Sequence, residues 1–418
     1  MINIRAFKGI YYNQDKITDI SQVVCPPYDV INEEERDFYY HQSPYNFIRL
    51  ILNKEEKEDN DSNNKYSRPV VFFNDWLKAQ ILKQDSKDSI YFYKQDYFYN
   101  NKEFSRLGFI ALLQIGNSGV AFPHENTRNA PKMDRFELIK KVKANLSPIF
   151  TIFSDKEKII EKIFKEDLSR RKPDFLLKDT QGVRNSVWRL TDAEKIQKIC
   201  SKMQNKQIFI ADGHHRYEVA LMYLNLMRQE DKNYSLDKSY NYVMTYFTTL
   251  ESDGICVMPT HRIIKSKVDL SRLGDIFKKV KLNSIADLEE KLAMSSKKPY
   301  VFGFYADGNI LLLELKDKNK ADSYFKEKKC FKNLDVAILD FYVLNELLKI
   351  KKDDIMYTKE ITEAKEAVDK KDGLAAFILR PTSVSQIRDV ALCGEKMPPK
   401  STYFYPKLLS GLVVHKFE

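Results

Sequence analysis

The spacing of apolar residues in the first third of the chain predicts a helix followed by a β-hairpin. Residues 70–82 (VVFFNDWLKAQIL) carry apolar side chains at helical intervals. The preceding run 54–65 has no apolar residue, which is typical of a surface loop. Residues 89–99 and 104–115 are rich in aromatic and aliphatic residues and flank Asn100–Asn101. We therefore expect these two segments to pair as antiparallel strands.

Helical and strand patterns alternate in the next part of the chain. Residues 133–144 have a helical pattern, and residues 148–153 form a short apolar run typical of a buried strand. Thr191 and Glu194 then give a T-x-x-E capping box. Such a box predicts the start of a helix, which we expect to run to about Met203.

A buried strand and an amphipathic helix follow. Residues 207–211 (QIFIA) have the pattern of a short buried strand. From His214 onward, apolar residues recur at i, i+3, i+4 and i+7 as far as Met227, which predicts a helix with one apolar face. Further strand patterns are found at 241–250 and 254–258.

The last third of the chain combines a second hairpin with further helices. Residues 300–305 and 309–315 flank Asp307–Gly308, a dipeptide that favours a tight hairpin turn. The remaining predicted elements are a helix at 341–348, a strand at 375–379 and a helix capped by Ser383 and Gln386.

Together these patterns predict an α+β fold of mixed sheets with flanking helices. The length of 418 residues favours two or three domains. We place the boundaries near 150 and 265. They give an N-terminal α+β domain (1–150), a central region (151–265) and a C-terminal α+β region (266–418).

Composition narrows the class of protein. The sequence has no run of about 18 uncharged apolar residues and no hydrophobic signal segment at its start, so we expect neither a membrane span nor secretion. The five cysteines form no CxxC motif, which excludes a zinc ribbon and disfavours a disulfide framework. We expect a cytoplasmic protein. The net charge of +10 fits either solvated lysines or a phosphate-bearing ligand.

The sequence Asp212-Gly213-His214-His215-Arg216 is the strongest candidate for chemistry. It lies between the predicted strand 207–211 and the predicted helix that starts at His214. A glycine turn before a helix N-terminus offers unpaired N–H groups to an anion, and Arg216 adds a guanidinium fork. Asp212 is able to accept a proton or hold Mg²⁺. In the simpler alternative, Asp212 is only a helix cap and the histidines are ordinary turn residues.

A second candidate cluster lies in the sequence MPPKSTYFYPK near the C-terminus. Two prolines stiffen the approach to Lys400-Ser401-Thr402, and Lys407 follows. An ammonium beside hydroxyl groups suits phosphate, although the glycines of a Walker loop are absent. A proline-rich surface turn is the alternative.

Two further groups are weaker candidates. Tyr28 and Asp29 in PPYD, with Asn46 and Arg49 in SPYNFIR, are suited to a small zwitterion, in which Asp29 pairs with an ammonium and Arg49 with a carboxylate. The other group holds the histidine motifs FPHE and PTHR, and no metal-binding spacing accompanies them. Its candidate residues are His124, Glu125 and His261.

Seven motifs carry a resemblance that covers the chain from residue 24 to residue 415. In order they are PPYDVI, SPYNFIRLIL, FPHENT, NLSPIF, ADGHHRYEVA, MPTHRII and MPPKSTYFYPKLLSGLVVH. They resemble a large bacterial family of unknown function, some members of which are pyrophosphate-dependent serine kinases. The DGHHR segment is similar to the phosphate-binding box of the ParB/sulfiredoxin-like superfamily, which also contains free-serine kinases.

The resemblance implies a ParB/sulfiredoxin-like core around DGHHR and a C-terminal region that returns the MPPKST loop to the active site. It implies a kinase that converts free L-serine to O-phospho-L-serine, with pyrophosphate as donor and Mg²⁺ as cofactor. The implied roles are catalysis by Asp212, Glu125, His214 and His215; phosphate binding by Gly213, His215, Arg216, Lys400, Ser401, Thr402 and Lys407; substrate binding by Tyr28, Asp29, Asn46, Arg49, His124 and His261; and metal binding by Asp212.

Two alternatives to this assignment stay open. An ADP- or ATP-dependent serine kinase keeps the same acceptor, because only the resemblance selects pyrophosphate. A ParB-like nucleotide- or nucleic-acid-binding protein accounts for the positive charge. However, the segment after Met227 does not resemble a helix-turn-helix DNA reader. His214 stands where sulfiredoxins have cysteine, so sulfinic-acid reduction is not supported.

Overall fold

The computed structural model describes residues 1–116, 119, 121–125, 129–295 and 298–417. The chain forms two compact units. The first comprises Met1–Phe122, Thr127–Ile255 and Pro406–Glu418, and the second comprises Pro123–Asn126 and Cys256–Tyr405. Among the described residues, no helix is both long and apolar enough to span a bilayer. The three-region division at 150 and 265 stays a prediction.

The strands of the described residues are, in chain order, β1 (Ile4–Arg5), β2 (Ile10–Tyr12), β3 (Leu82–Gln84), β4 (Ile90–Tyr99), β5 (Lys102–Gln114), β6 (Ala121–Phe122), β7 (Ala144–Asn145), β8 (Ile149–Phe153), β9 (Phe175–Lys178), β10 (Arg184–Leu190), β11 (Ile208–Asp212), β12 (Tyr242–Thr249), β13 (Cys256–Met258), β14 (His261–Ile264), β15 (Phe277–Leu282), β16 (Val301–Ala306), β17 (Asn309–Leu315), β18 (Ile355–Thr358), β19 (Ala375–Ile378), β20 (Tyr403–Tyr405) and β21 (His415–Lys416).

The α-helices of the described residues are α1 (Glu33–Gln42), α2 (Ile48–Ile51), α3 (Arg68–Lys78), α4 (Asn129–Val142), α5 (Ile159–Ile163), α6 (Ala193–Met203), α7 (His214–Glu230), α8 (Leu270–Ile276), α9 (Ile285–Met294), α10 (Lys318–Tyr324), α11 (Asp335–Ala337), α12 (Ile361–Asp369) and α13 (Val384–Leu392). Within the described part of the chain, π-helices are found at Phe164–Leu168 and Ile338–Leu347. Short 3₁₀ turns are found at Ile20–Gln22, Tyr28–Val30, Ser239–Asn241, Lys329–Phe331 and Lys352–Asp354.

A mixed sheet is the framework of the first unit. Its strand order is β6-β11-β8-β12-β5-β4-β10-β9, and β1 pairs with β5. The β4–β5 hairpin turns at Asn100 and Asn101, which both have positive φ, as expected for a tight turn between twisted strands. Strands β8 and β11 are almost wholly buried. The apolar face of α7 packs in the core that these strands form.

The second unit is built on an antiparallel sheet with the strand order β15-β17-β16-β19-β14-β18. The β16–β17 hairpin turns at Asp307 (φ 48°) and Gly308 (φ 73°), as the sequence predicts. Helices α9 and α12 contribute apolar residues to the core of this unit. A separate pair, β13 with β20, joins Cys256–Met258 to Tyr403–Tyr405.

The described elements confirm the predicted mixed α+β class and both hairpins. The helix predicted over 70–82 ends instead at Lys78, because Gln80 has a positive φ of 58° and Leu82 already belongs to β3. The cap predicted at Thr191 is wrong by one residue. Asp192 is the N-cap, and its side chain accepts from the Lys195 N–H. Ser383 and Gln386 form the predicted capping box.

One predicted helix differs in type from the observed one. The helix predicted over 341–348 overlaps a π-helix, Ile338–Leu347, and the apolar spacing did not indicate the wider turn of that helix. The ParB/sulfiredoxin-like identity of the core around DGHHR stays a prediction.

Candidate functional site

The strand–turn–helix junction at Gly213 organises the candidate site of the first unit. Strand β11 ends at Asp212, and α7 begins at His214. Gly213 between them has a φ of +87°, a conformation that favours glycine. A Cβ at this position would also lie 3.0 Å from the Arg216 Cζ. The turn therefore needs glycine for two reasons: the positive φ of its backbone, and the Arg216 side chain that lies where a Cβ would be.

Asp212 is not the cap of α7. The N-cap is Gly213, and no side chain caps this helix end. The Asp212 carboxylate instead accepts hydrogen bonds from two cationic side chains. Its Oδ1 lies 2.6 Å from the Lys407 Nζ, and its Oδ2 lies 2.9 Å from the Arg216 Nη2. We call Asp212, Arg216 and Lys407 the Asp212 triad.

The members of the Asp212 triad are largely buried. Their side chains are 17%, 13% and 9% exposed for Asp212, Arg216 and Lys407 respectively. Arg216 also donates to the carbonyl of Pro148, just before β8. Arg216 and Lys407 bring two cations to the positive end of a 17-residue helix. Such an arrangement favours a bound anion, and partial burial strengthens the attraction.

A buried polar network holds the backbone that carries Lys407. The Gln95 Nε2 donates to the Lys407 carbonyl at 3.0 Å. The guanidinium of Arg106, which is fully buried, donates to the Pro406 carbonyl and to the Gln95 Oε1. Gln95 also donates to the Asn185 Oδ1 at 3.0 Å. The network thus fixes both peptide carbonyls at the start of the C-terminal segment to strands β4, β5 and β10.

A small pocket lies beside Arg216 in the first unit. Its volume is about 60 Å³. Its polar lining comes from Tyr28, Arg135, Asn145, Ser147 and Arg216, and aliphatic side chains line the rest. The pKa of the Tyr28 hydroxyl is raised well above its usual value, first by burial and then by the negative charge of Asp29. Tyr28 is therefore a neutral hydrogen-bonding group at neutral pH.

The other predicted residues near the N-terminus make internal contacts. The Asn46 side chain, which is fully buried, donates to the Gln22 carbonyl at 2.9 Å and accepts from the Ile48 N–H at 3.0 Å. Arg49 donates to the Tyr40 carbonyl at 2.9 Å and lies over the Tyr40 ring at 4.3 Å. The substrate-binding roles of Asn46, Arg49 and Asp29 stay predictions.

The second unit brings together two motifs that are far apart in the sequence. The Lys400 N–H donates to the Glu125 Oε1 at 2.6 Å, across 275 positions. The His124 ring nitrogen Nε2 lies 3.3 Å from the Thr402 hydroxyl, and the Ser401 hydroxyl donates to the Pro398 carbonyl at 2.6 Å. The FPHE and MPPKST motifs therefore form one local cluster. Its participation in catalysis, as the resemblance implies, stays a prediction.

The remaining histidines differ in environment. His214 is buried and His215 is half-buried in the first turn of α7. His261 is fully buried in the second unit, where its Nδ1 accepts from the Leu379 N–H at 3.2 Å. Burial and the neighbouring Arg262 lower the pKa of His261 to about 3. His261 is therefore neutral, and its predicted contact with substrate stays a prediction.

The sequence also predicts Asp212 as a Mg²⁺ ligand. Both of its oxygens accept hydrogen bonds from cations, and a divalent ion at the same carboxylate would be repelled by both. This arrangement does not fit a Mg²⁺ site. In the part of the chain that the structure describes, no group of three or more His, Cys, Asp or Glu side chains is placed to hold a metal.

Sequence reasoning missed three residues at this site. Arg135 lines the pocket from within α4, and Arg106 and Gln95 hold the Lys407 backbone. All three lie inside predicted secondary structure and in none of the recognised motifs. The sequence held a signal for Arg106 and Gln95. A charged residue and an amide residue lie within strands that are otherwise mostly apolar and buried, and buried polar residues of this kind usually have a specific partner.

The chain belongs to the family described as protein of unknown function (DUF1015), whose pattern it matches over residues 4–337. A search of curated protein sequences gave no match.

Several solved structures have a distantly similar fold. A free serine kinase in complex with AMP is 13% identical, with 68% of this chain and 83% of that chain covered and a TM-score of 0.34. A conserved hypothetical protein from Pyrococcus furiosus is 14% identical, with 71% and 91% covered and a TM-score of 0.33. SbnI with a C-terminal truncation, from Staphylococcus aureus, is 10% identical, with 72% and 85% covered and a TM-score of 0.36. Similarities this low carry no inference about activity.

Proposed function

We propose that this protein is a phosphotransferase that phosphorylates the hydroxyl of free L-serine, with pyrophosphate as the donor. The observation that supports it most is the Asp212 triad, in which one carboxylate is held between Arg216 and Lys407 at the start of α7. The serine acceptor and the pyrophosphate donor come from the resemblance of the seven motifs. The cations Arg216 and Lys407 support the proposal, because a donor of this kind needs its negative charge neutralised.

Phosphoryl transfer depends mainly on positioning and on neutralising the negative charge of the transferring group. In the proposal, Arg216, Lys407 and the first N–H groups of α7 hold the donor oxygens. The bond between the serine oxygen and phosphorus forms while the bridging P–O bond breaks, which releases phosphate. Serine loses its hydroxyl proton to a carboxylate.

Asp212 is the proposed acceptor of that proton. When the donor draws Arg216 and Lys407 toward its own oxygens, the Asp212 carboxylate loses part of its ion pairing and becomes a better base. Glu125 is the alternative base, and Lys400, Ser401, Thr402 and His215 are the further phosphate contacts that the resemblance implies.

A donor panel tests the proposal. Purified protein is incubated with L-serine, Mg²⁺ and one donor at a time, namely pyrophosphate, ADP or ATP, and O-phospho-L-serine is quantified by mass spectrometry. We expect product with pyrophosphate at a rate at least about tenfold above either nucleotide. If O-phospho-L-serine forms with ADP or ATP but not with pyrophosphate, serine remains the acceptor and pyrophosphate is wrong as the donor. If no donor gives O-phospho-L-serine, the proposal is wrong.

A further inference from the structure

Two cysteines of the second unit, Cys330 and Cys393, lie side by side although they are far apart in the sequence. Cys330 belongs to the 3₁₀ turn Lys329–Phe331, and Cys393 is the C-cap residue of α13. Both cysteines are free, and their thiols are hydrogen-bonded to each other. The second unit therefore contains a dithiol, which we call the Cys330–Cys393 pair.

Contacts on both sides of the Cys330–Cys393 pair hold its two segments together. The Lys328 Nζ, two residues before the first cysteine, donates to the Glu395 Oε2, two residues after the second, at 2.8 Å. On the other side, the Gln386 Nε2 of α13 donates to the Asn333 carbonyl at 2.9 Å. Helix α13 and the 3₁₀ turn are thus packed against each other. The fold of the second unit therefore sets the approach of the two thiols.

The two thiols differ in how they meet an oxidant. Cys393 is exposed, whereas Cys330 is half-buried. Burial, and after it the hydrogen bond with Cys393, raises the pKa of Cys330 to about 12. Cys330 is therefore a protonated thiol at neutral pH, and a thiol is a much weaker nucleophile than a thiolate. An oxidant in the solvent reacts first at Cys393, and the Cys330 sulfur lies next to the product of that reaction.

We infer that Cys330 and Cys393 form a modification site, at which hydrogen peroxide closes a reversible disulfide. The Cys393 sulfur attacks one oxygen of the peroxide, whose O–O bond breaks, and the products are a sulfenic acid and one water. The Cys330 sulfur then attacks the Cys393 sulfur, forms the S–S bond and displaces the oxygen as a second water. The two thiols thus lose two electrons and two protons, which reduce the peroxide to water. The inference goes beyond the proposed function and does not depend on it.

The first test needs only the wild-type protein. Reduced, folded protein is treated with hydrogen peroxide, its remaining thiols are alkylated, and the tryptic peptides are analysed by mass spectrometry without reduction. We expect a cross-linked peptide pair that contains Cys330 and Cys393, and we expect dithiothreitol to restore both thiols. Oxidation of Cys393 to a sulfinic or sulfonic acid, or a disulfide between two chains, without this cross-link would overturn the inference.

The second test assigns the order of the two steps. In Cys393→Ser, the peroxide-dependent loss of the Cys330 thiol should be at least about tenfold slower than in the wild type, because the exposed thiol that reacts first is gone. In Cys330→Ser, dimedone should trap Cys393 as a sulfenic acid. Cys200→Ser, which changes a half-buried cysteine of the first unit, is the control and should form the cross-link at the wild-type rate. Loss of the Cys330 thiol at the wild-type rate in Cys393→Ser, or no dimedone adduct in Cys330→Ser, would show that the proposed reaction does not occur.

Discussion

The Lys407 ammonium lies 2.6 Å from the Asp212 carboxylate, although the two residues are 195 positions apart. The contact joins the segment that follows β20 to the turn between β11 and α7. The Ser410 N–H and the Val414 N–H, which lie beyond Lys407, donate to the Cys25 and Ile10 carbonyls at 2.8 Å each. The C-terminal segment is therefore built into the first unit, and it delivers one of the two cations of the proposed site.

Arg216 and Lys407 should act on the donor as one unit. We expect Arg216→Ala and Lys407→Ala each to raise the donor KM or lower kcat, with a smaller effect on the KM for L-serine. Both cations bind one anion, so their losses should not be additive. The loss of transition-state stabilisation, calculated from kcat/KM for the donor, should be smaller in the double variant than the sum of the two single losses, by more than about 0.5 kcal/mol. Steady-state kinetics on the four proteins measures this coupling.

A matched control is available on α4, which packs against α7. Lys132 pairs with Glu218 of α7 at 3.2 Å and lies outside the Asp212 triad. Lys132→Ala should leave the donor KM close to the wild-type value. Strictly additive losses in Arg216→Ala and Lys407→Ala, or an equal loss in Lys132→Ala, would show that the two cations do not share a ligand.

Arg106 should influence donor binding only through Lys407. Arg106→Met leaves the Pro406 carbonyl and the Gln95 Oε1 without this donor, at a cost of about 1–3 kcal/mol for each buried group left unpaired. We expect the donor kcat/KM to fall at least about tenfold and Arg106→Lys to restore part of it. In a Lys407→Ala background, Arg106→Met should change the donor kcat/KM little. A full further loss in that background would indicate general damage to the fold.

Two buried histidines should make the protein sensitive to mild acid. Burial lowers the pKa of both His261 and His415 to about 3, with smaller contributions from Arg262 and Arg5. In the unfolded chain both imidazoles bind a proton below about pH 6.5. The unfolded state then binds more protons than the folded state, so the free energy of unfolding falls as the pH decreases from about 6.5 toward 3.

The pH dependence of Tm measures this effect. We expect Tm to decrease below about pH 6.5, and we expect His415→Gln to make that decrease shallower. His41→Gln, which changes an exposed histidine of α1, serves as the control and should leave the slope unchanged. A slope that is identical in wild type and His415→Gln would contradict the assignment of His415 as a buried neutral group.

Local patterns predicted the elements of the fold well, because the signals of turns and strands lie within a few residues of each other. Asn100–Asn101 and Asp307–Gly308 each have the positive φ that a tight hairpin turn requires. The predicted N-cap of α6 was wrong by one residue. Thr191 and Asp192 both suit an N-cap, and the spacing to Glu194 favoured Thr191 over Asp192, which is the actual cap. Alternating apolar residues also could not distinguish the end of α3 from the start of β3.

The candidate site was predicted only in part. The strand–glycine–helix pattern located Asp212, Gly213 and Arg216, because these residues are neighbours in sequence. Lys407 entered as one cation among several, and its contact with Asp212 depends on pairing across 195 positions. Arg135 was missed because only tertiary packing brings α4 against Tyr28. Long-range contacts of this kind are set by the whole fold, and spacing within one segment does not report them.

The measurement that tests the central claim most directly is the rate at which Asp212→Asn forms O-phospho-L-serine from pyrophosphate. Asparagine keeps the size of the side chain but removes the charge that pairs with Arg216 and Lys407 and the capacity to take up a proton. With Tm and circular dichroism close to wild type, we expect turnover to fall at least about 10²-fold. Wild-type turnover by a folded Asp212→Asn protein would contradict the account.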